Sequence, residues 1–168
     1  MAARQQQRQK QQKSLPKTSL KKRKRSGGTE INKHLIIFSD GGARGNPGPA
    51  AIAFIIQTET GQTLISDSKY IGICTNNQAE YQALLAALQA AVALKPDFLI
   101  CHLDSELVAK QLQGEYRVKN PDLKHLWQNV QKAKTQFSTV KFVNVPRSHR
   151  TIEEADKLVN LTLDARSK

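Results

Sequence analysis

Three extended apolar runs precede any helical pattern, and this order narrows the possible architectures more than any other feature of the chain. His34–Ser39 and Ala50–Thr58 are apolar almost throughout, and Thr63–Ile73 continues after a turn at Thr60–Gly61–Gln62. Runs joined by short turn-rich links pair as an antiparallel meander. From Gln78 to Leu94 the period changes, with Leu84, Leu85, Leu88, Ala91 and Val92 at helical spacing until Lys95–Pro96. Phe98–Leu103 then reads as a short buried strand. Entered through a helical crossover, it runs parallel to its neighbour. Helices over Ser105–Gln113 and Pro121–Phe137 follow, then a strand over Val140–Val145 and a helix over Thr151–Ala165. The predicted fold is α/β: a mixed five-stranded sheet, three antiparallel strands followed by parallel ones, flanked by helices.

Charge divides the chain in two. Of the 168 residues, 1–33 hold eleven Lys/Arg against one acid, Glu30, while the rest hold fifteen Lys/Arg against thirteen Asp/Glu. The basic, Gln-rich segment 1–33 is almost without large apolar residues and is expected to be disordered. Nucleic-acid phosphates are its natural partner, since each neutralised phosphate releases counterions; the alternative is a solubilising extension. Lys21–Lys22–Arg23–Lys24–Arg25 also reads as a nuclear-import patch, and the acid-poor start as the beginning of a transit peptide. The domain is therefore placed at 34–166. No stretch approaches the ~20 apolar residues of a membrane span, so no membrane partner is expected. Cys74 and Cys101 have no metal-ligand spacing and are too few for a disulfide framework. The expected setting is the cytoplasm, or the nucleus or an organelle in a eukaryote.

Four carboxylates stand at element ends, each with a local explanation. Asp40 opens an Asp–Gly turn after the first strand. Glu80 fits the N3 position of a helix capped by Asn77. Asp104 could cap the helix from Ser105. Asp156 lies one turn into the last helix, after the capping box Thr151–Ile152–Glu153–Glu154, on a solvated acidic face. Their joint position says more. Ligands of open sheets gather outside the carboxyl ends of parallel strands, where Asp40 and Asp104 stand. Carboxylates crowded there repel one another unless a cation intervenes, and all-oxygen ligands select Mg²⁺ or Mn²⁺. A pair of such ions serves in-line displacement at phosphorus.

The stretches SDGGARGNPGPA, TNNQAEY, LDSELVAKQLQGEY and EADKLVN, in that order, resemble type 1 ribonuclease H across nearly all of residues 34–165. The resemblance implies a ribonuclease H-like fold and endonucleolytic hydrolysis of the RNA strand of an RNA–DNA hybrid, leaving 3′-hydroxyl and 5′-phosphate ends. It makes Asp40, Glu80, Asp104 and Asp156 the catalytic, metal-binding acids of a two-ion site, Asp40 bridging the ions. It also places Asn46, Thr75 and Asn77 against the DNA strand, and Asn76 and Gln78 against the RNA. Gly41, Gly42 and Gly45 would let backbone amides approach the groove that displays the 2′-hydroxyls.

Three departures from the family pattern are visible. Ile73 stands where many members carry an arginine of a phosphate pocket. Gly114–Pro121 is too short for the basic, tryptophan-rich protrusion of many members. His149 lies seven residues ahead of Asp156 rather than the ten typical of a mobile catalytic histidine, which leaves it either that role or a solvated loop position. Arg147 matches the arginine that shorter members place nearby, a substrate-binding expectation. Double-stranded RNA is the alternative substrate, and a monomer is expected.

Overall fold

The computed structural model describes residues 33–166; the tail expected over 1–33 lies, but for Lys33, outside the described residues. The elements run β1 (His34–Ala43), β2 (Gly48–Thr58), β3 (Thr63–Cys74), α1 (Asn76–Ala91), β4 (Phe98–Leu103), α2 (Glu106–Gln113), α3 (Pro121–Lys134), β5 (Thr139–Asn144) and α4 (Arg150–Arg166). They form one five-stranded sheet in the order β3-β2-β1-β4-β5. β1, β2 and β3 pair antiparallel, and β1–β4 and β4–β5 parallel, as the order of periods predicts.

The pleat sends alternate residues of β1 to opposite faces. Leu35 and Ile37 join Phe54, Ile56, Leu84, Leu88 and Leu99 in the main core, under α1, α2 and α3. A smaller core of Ala51, Ala53 and Ile55 packs under Ala155, Val159 and Leu163 of α4. Burial on both faces explains why β1 and β2 lack an alternating polar pattern. β3 lies at the sheet edge and is mostly exposed.

A buried polar contact ties α1 to α2. The hydroxyl of the fully buried Tyr81 donates to Gln111 Oε1 at 2.8 Å, and Trp127 Nε1 donates to the Gln111 carbonyl at 3.3 Å. Tyr81→Phe would leave the amide oxygen of a buried glutamine without a donor, at a cost of about 1–3 kcal/mol. A lowered midpoint in urea denaturation is the expected result; an unchanged midpoint would show that the contact carries no net stability.

Several boundaries differ from the sequence-based expectation, and one difference matters for the site. β1 does not stop at Ser39. It continues through Asp40 to Ala43, pairing with β2 from Asp40↔Ala53 to Ala43↔Ala50. Asp40 is therefore a strand residue and not part of a turn; the turn comes later, at Gly45–Pro47, where Gly45 has φ 103° and the Asn46–Pro47 peptide is cis. The β1–β4 ladder, in contrast, ends at Ser39↔Leu103. β1 overhangs its parallel neighbour, and Asp104 is the first residue past the end of β4.

Candidate active site

The pleat and the overhang together assemble the site. Asp40 is buried in β1, just beyond the last residue paired to β4. Asp104 follows β4. Its expected duty as a helix cap falls instead to Ser105, whose hydroxyl accepts from the Val108 amide at 3.3 Å. Glu80 is not the N3 partner of an Asn77 cap either. Thr75 caps α1, and Gln78 is the N3 residue that answers it: Thr75 Oγ1 accepts from Gln78 N at 3.3 Å, and Gln78 Oε1 from Thr75 N at 2.8 Å. Both carboxylates are thus released from local duty. One oxygen each of Asp40, Glu80 and Asp104 lies within 4.8 Å of the others.

This proximity is electrostatically costly. Burial, then the charges of Asp104 and Asp156, push the Asp40 carboxyl up to about 7, against a partial offset from Arg147 and the Gly41 amide. Burial and the neighbouring Asp40 and Asp104 hold Glu80 well above the ordinary carboxylate range. Burial likewise raises Asp104, opposed by Arg147. Glu80 Oε2 and Asp104 Oδ1 are buried with no hydrogen-bond partner among the described residues. Buried carboxylate oxygens are ordinarily paired or bound to a metal. Three convergent carboxylates, two of them with an orphaned oxygen, fit a hard divalent cation held by oxygen ligands.

Asp156 borders the same cavity, of about 430 Å³, without joining the tight trio. Arg147 links the two groups of acids: its Nε lies 3.7 Å from Asp104 Oδ2 and its Nη2 3.4 Å from Asp156 Oδ1. With 75% of its side chain exposed, the guanidinium is a weakly held counter-charge. It stands at the carboxylates themselves.

A model of the reverse transcriptase-like family matches residues 38–162. An RNase H1 crystal structure from Halobacterium salinarum shares 39% identity and a TM-score of 0.75, over 79% of this chain and 98% of that one. An RNase H1 designated LC11, solved in complex with an RNA/DNA hybrid, is 41% identical with a TM-score of 0.75, over 80% and 99% of the two chains. This chain belongs to the type 1 ribonuclease H family. A bifunctional protein of Mycobacterium tuberculosis is 41% identical over 132 residues, and there the chain covers only 36% of its relative's length.

Among the other residues expected to serve this ribonuclease H site, Gly41, Gly42 and Asn76 border the acid cavity. Asn76 Oδ1 accepts from Ala43 N at 2.7 Å, and its own amide donates to Asn46 Oδ1 at 3.1 Å. The two asparagines thus lock the start of α1 to the end of β1. Asn77 makes no side-chain hydrogen bond among the described residues. Gln78 lines a separate cavity with Ile73, which is 67% exposed.

His149 does not join the acids. Its carbonyl and ring cap α4, accepting from Glu153 N at 3.0 Å and, through Nδ1, from Thr151 N at 3.3 Å. The expected Thr151–Glu154 capping box is replaced by this arrangement, and α4 begins at Arg150. The ring stacks on Phe38, 5.0 Å between centroids, so it is neither free in solvent nor paired with a carboxylate. Two polar residues of the cavity were not singled out in the sequence: Arg44 and Asn160. Asn160 Nδ2 donates to Asp156 Oδ2 at 3.1 Å. Its position four residues after Asp156, on the same helix face, was the available signal.

Proposed function

We propose that this chain hydrolyses the RNA strand of RNA–DNA hybrids, leaving 3′-hydroxyl and 5′-phosphate ends, with two Mg²⁺ ions and with Mn²⁺ as a substitute. The observation that carries the reading is the buried trio Asp40, Glu80 and Asp104, with two orphaned oxygens, at the carboxyl end of the parallel strands. Family membership supports the reaction class, and a relative bound to an RNA/DNA hybrid supports the substrate.

Asp40 is central to the acids and would serve both ions, Glu80 and Asp104 on one side and Asp156 on the other. Bound there, the cations would lower the pKa of a water and neutralise charge on the leaving oxygen. The protein's own part is preorganisation. Backbone pairing of β1 with β2 fixes Asp40, the Thr75–Gln78 cap fixes the start of the helix bearing Glu80, and Asn160 orients Asp156. Arg147 offsets the negative charge of Asp104 and Asp156 before a cation arrives. The exposed Asn76 and the unpartnered Asn77 amide would contact the two strands at the minor groove, where the 2′-hydroxyl distinguishes RNA from DNA.

The test is a gel assay on a labelled RNA–DNA duplex. Cleavage of the RNA strand in Mg²⁺ and its disappearance on chelation are expected. Intact RNA in the presence of Mg²⁺, or cleavage that survives chelation, would end the proposal. The exposed Ile73, in place of a cation at the phosphate pocket, favours a weaker demand for DNA in the second strand. A double-stranded RNA arm in the same assay reads this directly.

A further inference from the structure

We propose that Arg44 is a phosphate clamp for the strand being cut, gripping a phosphodiester that neighbours the scissile one. The proposal rests on the hybrid-nuclease reading and adds a residue to its substrate site. Arg44 borders the same cavity as the four acids. Its backbone amide donates to the Pro49 carbonyl at 2.8 Å, which anchors its stem across the turn between β1 and β2. Its side chain reaches α4, where Nη2 donates to the Asn160 carbonyl at 3.5 Å and to the Asp164 carboxylate.

Both of these bonds leave through one nitrogen. A guanidinium carries five N–H donors, and Nε and Nη1 of Arg44 make no hydrogen bond among the described residues. The group is therefore held from one corner while most of its fork stays available. Asp164, its counter-ion, does not border the cavity. It restrains the cation through Nη2 and is not itself a wall of the cavity.

Charge complementarity supplies the second argument. A polyanion must pass four carboxylates here, and two arginines are the only cationic side chains bordering the cavity among the described residues. Arg147 stands between Asp104 and Asp156, whereas Arg44, paired with Asp164 through Nη2 alone, keeps Nε and Nη1 for phosphate. Its planar fork matches two non-bridging oxygens of one phosphodiester. Arg44 pairs with none of the four acids among the described residues, so its partner is a neighbouring phosphate and not the reacting one.

The experiment measures hybrid binding by fluorescence anisotropy in Ca²⁺, over a series of salt concentrations, and steady-state cleavage in Mg²⁺. Arg44→Ala is expected to weaken binding about tenfold and to flatten the plot of log K against log salt by about 0.9, the signature of one lost phosphate contact. Its kinetic loss should fall on KM rather than kcat. Arg44→Lys keeps the charge without the fork and should restore the slope but only part of the affinity. Thermal melts establish that each variant is folded, and should Arg44→Ala fail to fold, the affinity and slope of Arg44→Lys decide. Unchanged affinity and slope in a folded Arg44→Ala variant would overturn the clamp. So would a loss confined to kcat, which would instead make Arg44 a support for α4 and Asp156. A wild-type protein that neither binds nor cuts the hybrid would overturn the parent reading and the clamp together, and no variant is needed to see it.

Discussion

Asp40→Asn is expected to abolish cleavage and, in the same molecule, to stabilise the metal-free fold. The first effect follows from the position of Asp40 among the acids. Cation catalysis is worth several kcal/mol at the transition state, and each 1.36 kcal/mol is tenfold in rate, so a fall on the order of 10³ or more is expected. The second follows from the crowding. The Asp40 carboxyl rises from 3.8 to about 7 on folding. Between those values the native state binds more protons than the unfolded state, so stability falls as pH climbs from about 4 to about 7 and stays low above. Asparagine carries no such penalty, and its amide can donate to the orphaned oxygens of Glu80 and Asp104. Above pH 7 the gain should be on the order of 2 to 4 kcal/mol, or several degrees in melting temperature. It should shrink toward pH 4, where the folded carboxyl is protonated and the unfolded one, at its ordinary 3.8, is only partly ionised, and also on adding Mg²⁺ to the wild type. Paired activity assays and melts in chelator, at pH 8 and pH 4.5, read both effects. A variant that cuts at the wild-type rate, or melts below wild type at pH 8, contradicts this account.

The same residue shows where local sequence stops being informative. Asp–Gly–Gly predicts a turn because those residues adopt one cheaply, yet Asp40–Ala43 is strand because β2 supplies a partner for each residue. That pairing is set by the register of two segments, which neither segment displays alone. The overall order of elements was legible, since burial imposes periods of about 2 and 3.6 on any sequence. The four acids were legible through the family motifs and, for Asp104, through its place at the end of a strand. Helix caps were misassigned by two residues at α1, because the Thr75–Asn76–Asn77 run offers three chemically suitable caps and packing selects one. The surroundings of His149, Arg147 and Arg44 could not be read from sequence. Each acts through partners brought close by the fold: Phe38 for the first, Asp104 and Asp156 for the second, and α4 for the third.

Gly41→Ala is expected to destabilise the protein by about 3 kcal/mol or more and to remove what activity survives folding. The cause is space, since Gly41 does not have a positive φ among the described residues. Alternation along β1 turns its missing side chain toward α1. A Cβ built there lies 2.6 Å from the Glu80 amide nitrogen and still closer to the Ala79 carbonyl carbon and oxygen. These are backbone atoms in the early turns of a helix, so no rotamer change relieves the clash, and overpacking at such a contact sits at the upper end of its usual cost. The helix would have to move, carrying Glu80 away from Asp40 and Tyr81 away from Gln111. Gly42 provides the control. It faces α4, and a Cβ there would lie 3.3 Å from a Val159 methyl, a side chain that can shift. Gly42→Ala should therefore melt close to wild type. Equal stability of the two variants would mean that close packing against α1 is not why position 41 holds a glycine. The alternative, free access of its amide to a nucleic-acid groove, would then require Gly41→Ala to fold normally and lose only affinity for the hybrid.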